Sequence, residues 1–242
     1  MDSKRQRYQA CIHINPVRLA GLFSGGKDSC YAARLMEEEG HDLDYLVSIR
    51  SENPDSYMFH TVNIGLTELQ AYAWGKEHVE AETRGVKEKE LDDLEKCLRG
   101  LDIEGVVTGA IASSYQKERV DRICGELGLA HLSPLWGRER RGLLNEMIRS
   151  GMVIVFSAVA AHGLDQRWLG GKLDRQAVNR LLELGERFGV DPCGEGGEYE
   201  SLVLDAPWFR YRMMIRRAER SWDGVSGRYH ILEAELLPKI DT

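Results

Sequence analysis

The chain has 242 residues, 32 basic and 39 acidic, for a net charge of −7, and 43% of its side chains are hydrophobic. These are globular values that exclude a disordered or fibrous chain, and the length suits one large domain or a domain with a smaller appendage. The longest nearly apolar run, Met152 to Ala161, falls well short of the roughly 20 residues a bilayer crossing needs.

Hydrophobic patterning and punctuation predict a regular alternation along the chain. Val17 to Phe23 reads as a short buried strand, followed by a glycine turn and an amphipathic helix from about Ser29 to Glu39. Leu43 to Ile49 reads as a strand, Gly65 to Gly75 as a helix and His78 to Glu82 as a short strand. In Lys87 to Arg99, Leu91, Leu94, Cys97 and Leu98 fall on one helical face. Gly105 to Thr108 and Leu129 to Leu132 read as strands around a helix from Ser113 to Leu127. Gly142 to Arg149 is expected to be helical and Val153 to Val159 is the most strand-like segment. This alternation implies βαβ units and a doubly wound, mainly parallel sheet in an α/β fold. After about residue 165 the pattern changes. A helix from Asp174 to Phe188 precedes a glycine-rich stretch, and Arg210 to Trp222 with Arg228 to Leu236 reads as an antiparallel ribbon. The expected division is a nucleotide-binding α/β domain over 1–165 and a smaller α+β lobe over 166–242.

Five cysteines, Cys11, Cys30, Cys97, Cys124 and Cys193, form no C-x-x-C and no zinc array, which fits a reducing cytoplasm. Lys4, Arg5 and Arg7 could open an export signal, but His13, Asn15 and Arg18 break the apolar stretch that such a signal needs next, so a soluble chain with no membrane partner is expected. The acidic balance argues against a nucleic-acid partner, and the arginine clusters at 138–141 and 210–217 read as solvated faces. Patterning leaves the oligomeric state open, a homo-oligomer included.

Ser24-Gly25-Gly26-Lys27-Asp28-Ser29 carries the chemistry. It lies between a strand and a helix at the carboxyl end of a parallel strand, where open α/β sheets bind ligands. Two glycines admit close approach of an anion, and the helix amino terminus directs N–H groups and a positive dipole end at the same spot. Ser24 and Ser29 add hydroxyls and Lys27 a charge. Gly21-x-x-x-x-Gly26-Lys27 nearly satisfies the Walker A pattern, but Asp28 stands where that loop carries Ser or Thr.

The hexapeptide is similar instead to the S-G-G-x-D-S loop of the PP-loop ATP pyrophosphatases. That resemblance implies a PP-loop, HUP-like fold, cleavage of ATP between its α- and β-phosphates, and adenylation of the substrate. Further segments narrow the family: Asn53 to His60 after the second strand, Thr108 to Gln116 after the fourth, Pro134-Leu135-Trp136, Gly163-Leu164-Asp165, and Cys193 to Ser201. Together, over roughly residues 17 to 210, they resemble the diphthine–ammonia ligases, in a short form without the extra carboxy-terminal domains of many eukaryotic members. Ser114 departs from the Asp expected there, and the first sixteen residues precede the usual start.

The resemblance implies amidation of diphthine on translation elongation factor 2 by free ammonium, with ATP and Mg²⁺, since no residues remain for a glutaminase domain. Lys27 is the expected donor to the leaving pyrophosphate, and Asp28 the residue that orients Mg²⁺ or bound water. Glu198 and Glu200, two apart, share one face if extended, and so could bind ammonium, deprotonate it or hold a second Mg²⁺. Glu195 joins them as an expected catalytic residue. Ser48, Ile49 and Gly109 are expected along the nucleotide beside the loop. Tyr57, Met58, His60, Tyr115, Gln116, Gly196, Gly197 and Tyr199 are expected on the substrate side. Two rival readings are a PP-loop tRNA-modifying enzyme and a non-catalytic ATP sensor.

Overall fold

Neighbouring positions of the first strand feed two different cores. In the computed structural model, which describes residues 15–52, 62–86 and 89–239, β1 (Arg18–Leu22) turns Leu19 towards one hydrophobic cluster and Ala20 towards another, both fully buried. Such two-sided burial is what a central parallel strand requires. Around β1 lie β2 (Asp42–Ser51), β3 (Glu77–Thr83), β4 (Gly105–Val107) and β5 (Ala130–Leu132), in the order β3-β2-β1-β4-β5, every pair parallel. The order reverses direction between β1 and β4, and that switch point opens a crevice beyond the strands' carboxyl ends.

The helices form where the spacing predicts them, with ends explained by their caps. α1 (Lys27–Glu38) starts directly behind the glycine loop and buries Cys30, Ala33 and Met36. α2 (Thr67–Trp74) follows a 3-10 turn and stops at Gly75, whose φ of 79° closes the helix in the left-handed conformation. α3 (Lys89–Arg99) buries Leu91, Leu94 and Leu98 against one face of the sheet. α4 (Ser114–Leu127) begins at Ser113, whose hydroxyl accepts from the Gln116 amide. α5 (Arg140–Arg149) is capped by Glu139.

One placement differs from the sequence reading. β6 (Val153–Val159), expected in the parallel core, belongs to a second, antiparallel sheet of order β7-β6-β9-β8. An apolar run buried on both faces suits the middle of either sheet type, so patterning cannot choose between them. Its partners come later in the chain: β7 (Tyr199–Asp205) and β9 (Gly227–Pro238) both pair with it antiparallel. The change of sheet therefore falls between β5 and β6, ahead of the division near residue 165. The expected ribbon is present as β8 (Tyr211–Trp222) paired with β9, turned at Asp223, whose carboxylate accepts from the amides of Val225 and Ser226. α6 (Arg175–Phe188), capped by Asp174, covers this lobe. A single cluster running from Cys30 and Met36 of α1 through Leu144 to Phe156, Leu181 and Val203 joins the two sheets. The second sheet thus lies against the α1 side of the first, which brings β7 to the glycine loop.

Candidate nucleotide site

The loop after β1 is braced by its own hydroxyls. Ser24 and Ser29 place their Oγ atoms 3.2 Å apart, the Ser24 amide donates to Ser29 Oγ at 3.3 Å, and Ser29 Oγ donates to the Gly26 carbonyl at 3.2 Å. Gly25 takes φ +75°, and a Cβ there would collide with the Gln70 side chain. The loop is also bound to β7. The Gly25 carbonyl accepts from the Val203 amide at 3.0 Å and from Gln70 Nε2 at 2.9 Å, while the Lys27 amide donates to Ser201 Oγ at 3.1 Å. Gln70 Nε2 reaches the Val203 carbonyl as well, at 2.7 Å. Gln70 and Ser201 were not among the expected site residues. A polar side chain on the buried face of α2, between Thr67 and Trp74, was the signal for Gln70.

Two adjoining cavities open at this loop. The first sits at the switch point. Its lining is part apolar, with Leu22, Val47, Ile49, Ile64 and Val120, and part polar, with Ser24, Asp28, Ser29 and Thr108. Gly109 is required there by contact: a Cβ would stand 2.6 Å from the Asp28 carbonyl carbon and the Ser29 amide nitrogen. Ser48 does not face this cavity. Its buried hydroxyl donates to the Phe23 carbonyl at 2.7 Å and meets His78 Nε2 at 3.0 Å, so it holds the strand end while Ile49 supplies the wall. The second cavity is lined by Gly26, Asp28, Tyr115, Gln116, Gly196, Gly197, Tyr199, Glu200 and Ser201. Asp28, Ser24, Gln116 and Glu195 border both.

Three expected catalytic residues are engaged differently from the sequence reading. Lys27 lines neither cavity. Its side chain is 2% exposed, and its ammonium lies 2.8 Å from Asp28 Oδ2, 2.5 Å from the Cys193 carbonyl and 4.8 Å above the Tyr199 ring. Burial is the largest single influence and by itself would lower its pKa, but Asp28, Tyr199 and Cys193 together outweigh it and the net direction is upward. Glu198 does not join Glu200 on the cavity wall: its carboxylate accepts from the Asp191 and Gly196 amides at 2.9 and 2.8 Å, closing the turn before β7. Glu195 Oε2 accepts from three successive amides, Ile111, Ala112 and Ser113, at 3.3, 2.7 and 3.0 Å, just ahead of α4. It fastens the glycine-rich segment of the second lobe to the wall of the first cavity. Burial pushes the Cys193 thiol up to about 12, so it stays neutral near pH 7. Tyr57, Met58 and His60 lie outside the described residues.

Among the described residues no helix is long and apolar enough to cross a membrane, and no group of three or more His, Cys, Asp or Glu side chains is arranged to hold a metal.

A parallel sheet with a glycine loop at its switch point, a half-apolar cavity beyond it and a helix amino terminus beneath defines an α/β nucleotide-binding protein of the PP-loop type. The model of the diphthamide synthase N-terminal domain matches residues 17–131, and that of the diphthamide synthase C-terminal domain matches residues 139–237. The chain belongs to the diphthamide synthase family. It is 37% identical over 224 residues to the diphthine–ammonia ligase of Danio rerio, covering 84% of this chain and 88% of that one. It is 37% identical over 226 residues to that of Homo sapiens, covering 84% of each. A solved chain from Methanocaldococcus jannaschii, described as a predicted subunit of tRNA methyltransferase, aligns with TM-score 0.44 and 16% identity over 79% of this chain and 98% of that one.

Proposed function

We propose that this protein is an ATP-dependent diphthine–ammonia ligase acting on translation elongation factor 2. The observation that carries the reading is the meeting of two distant segments at one place: the Ser24–Ser29 loop and the Gly194–Ser201 segment border a common pair of cavities. The first cavity, with Leu22, Val47, Ile49, Ile64 and Val120 in its lining, suits a nucleoside, and the loop suits its phosphates. The amides of Gly26 and Lys27 donate to hydroxyls of Ser24 and Ser201, acceptor positions that phosphate oxygens can take over. The second cavity, which shares Asp28 with the first, suits the acceptor side chain.

Ammonia cannot displace oxygen from a carboxylate. Attack of the diphthine carboxylate on the α-phosphorus of ATP releases pyrophosphate and gives an acyl-adenylate, from which ammonia displaces AMP to leave the amide. Donors already fixed where charge develops are worth about 2.7–4 kcal/mol of barrier each, and β7 holds the backbone of this loop at the Gly25 carbonyl and the Lys27 amide. Asp28 is the carboxylate common to both cavities, and a single carboxylate with phosphate oxygens is a usual Mg²⁺ environment; the ion would neutralise phosphate charge there. Glu200 on the second cavity wall is suited to hold ammonium. Lys27, Glu195 and Glu198 serve by positioning: Lys27 ties Asp28 to the Cys193 carbonyl, and the two glutamates shape the segment between the cavities.

Incubation with ATP, ammonium and diphthine-bearing elongation factor 2 tests this. Amidated factor by mass, with AMP and pyrophosphate as products, is expected. ADP and orthophosphate as products, or no turnover with any acceptor, would overturn it.

A further inference from the structure

Thr108, on the lining of the first cavity, belongs to a chain of hydrogen bonds that the amidation chemistry does not use. Asp121 on α4 meets His131 Nδ1 at 2.6 Å. On the other side of the ring, His131 Nε2 lies 2.8 Å from Thr108 Oγ1 and 3.1 Å from Ser133 Oγ, and the two hydroxyls are 3.0 Å apart. The imidazole is buried, its side chain 5% exposed. Thr108 lines the cavity, and its backbone is fixed because its amide donates to the Leu132 carbonyl at 2.9 Å.

The direction of each proton is set by what each group can do. Asp121 also accepts from Lys117 at 2.7 Å, and its partners hold its carboxyl below the usual range, so it is ionised and only accepts. Nδ1 must therefore carry the ring proton. Burial keeps the imidazole neutral by lowering its pKa, which leaves Nε2 as an acceptor. Two hydroxyl protons must then serve both Nε2 and the contact between the hydroxyls. Whether Thr108 donates to the ring with Ser133 donating to Thr108, or Ser133 donates to the ring with Thr108 donating to Ser133, the proton of Thr108 is used inward. The alternatives leave Nε2 unserved or set two lone pairs against each other. Either way, Oγ1 of Thr108, a residue that lines the cavity, keeps a lone pair that the network does not use.

We infer that Thr108 is a specificity-determining acceptor for a hydrogen-bond donor on the nucleoside, a ribose hydroxyl or the exocyclic amine of adenine, with Asp121 and His131 as the positioning residues that orient it. This rests on the proposed assignment of the cavity as the nucleoside site. A site built to accept a particular hydrogen bond rejects the ligand that lacks the donor.

The test is equilibrium binding of ATP, 2′-deoxy-ATP, 3′-deoxy-ATP and inosine triphosphate to wild-type protein and to Thr108→Val, Thr108→Ser and Asp121→Ala. In wild type, one analogue should bind about tenfold more weakly than ATP, the loss expected when a buried acceptor goes unpaired. The deoxy analogues report on the ribose and inosine triphosphate on the base. Thr108→Val should bind ATP about tenfold more weakly and show no further penalty for that same analogue, while Thr108→Ser restores both. Asp121 is on the surface, so Asp121→Ala tests the chain with Thr108 in place and should narrow the same discrimination. ATP binding by wild type with undiminished discrimination in Thr108→Val, or in Asp121→Ala should the former not fold, overturns the inference alone. Wild-type protein that binds none of these nucleotides overturns the cavity assignment and the inference with it.

Discussion

Replacing Lys27 by Met separates the role its place in the structure defines from the one its motif suggests. Methionine keeps most of the side-chain volume but removes the ammonium that joins Asp28 Oδ2 to the Cys193 carbonyl. Breaking a buried ion pair by deleting one partner costs about 3–5 kcal/mol. Asp28 is 25% exposed, so water relieves part of that loss and about 3 kcal/mol is expected. For a chain of this size each kcal/mol lowers Tm by roughly 2–4 °C, which gives a fall of about 6–12 °C. Because the pKa of Lys27 is raised in the folded state, its contribution is complete below the ordinary lysine value of 10.5 and is lost only as pH rises through the higher folded value. The deficit should therefore be the same at pH 6 and pH 9. Thermal and urea unfolding measure it, with pyrophosphate release followed in parallel. A variant that melts with wild type yet loses AMP formation would refute the buried-tie reasoning and return Lys27 to the role of phosphate donor.

Gly109→Ala forces the β4 end away from the start of α1, and overpacking of this kind costs about 1–3 kcal/mol; lower Tm and weaker ATP binding are expected, and unchanged binding would mean the loop is not held by this contact. Glu195→Ala frees the amides of residues 111–113, and charge-assisted bonds of about 1.5–3 kcal/mol place the fall in kcat/KM near a hundredfold; a steady-state titration with ATP checks it, and an unaltered ratio would remove Glu195 from the cavity wall. Burial is the leading cause that lowers the pKa of both His78 and His131 from 6.5. A lowered imidazole stabilises above its unfolded value and loses that stability as pH falls through 6.5 towards the folded value, so urea midpoints should decline from pH 7.5 to 5.5, and a flat or rising profile would contradict the burial of these rings.

Much of the fold was legible because its signals are local. The strand–loop–helix over residues 18–38, the helices opening near Ser113 and Asp174 and the antiparallel ribbon each rest on residues a few positions apart, and such chemistry is written in consecutive side chains. Of the residues expected at the site, Ile49, Gly109, Gln116 and Glu200 line the cavities. Ser48 is turned away from the first cavity because β-strand alternation sends neighbouring residues to opposite faces, and nothing in the sequence says which face meets the cavity.

Spacing within single elements was enough to define the phosphate-type loop, the parallel core and the set of chemically capable residues. Contacts between distant segments were needed to place β6 in the second sheet, to make Gln70 and Ser201 the holders of the loop, and to turn Lys27 inward. The last depends on a carbonyl 166 residues away: a lysine points where its charge is best compensated, and that partner arrives only when the second lobe closes on α1.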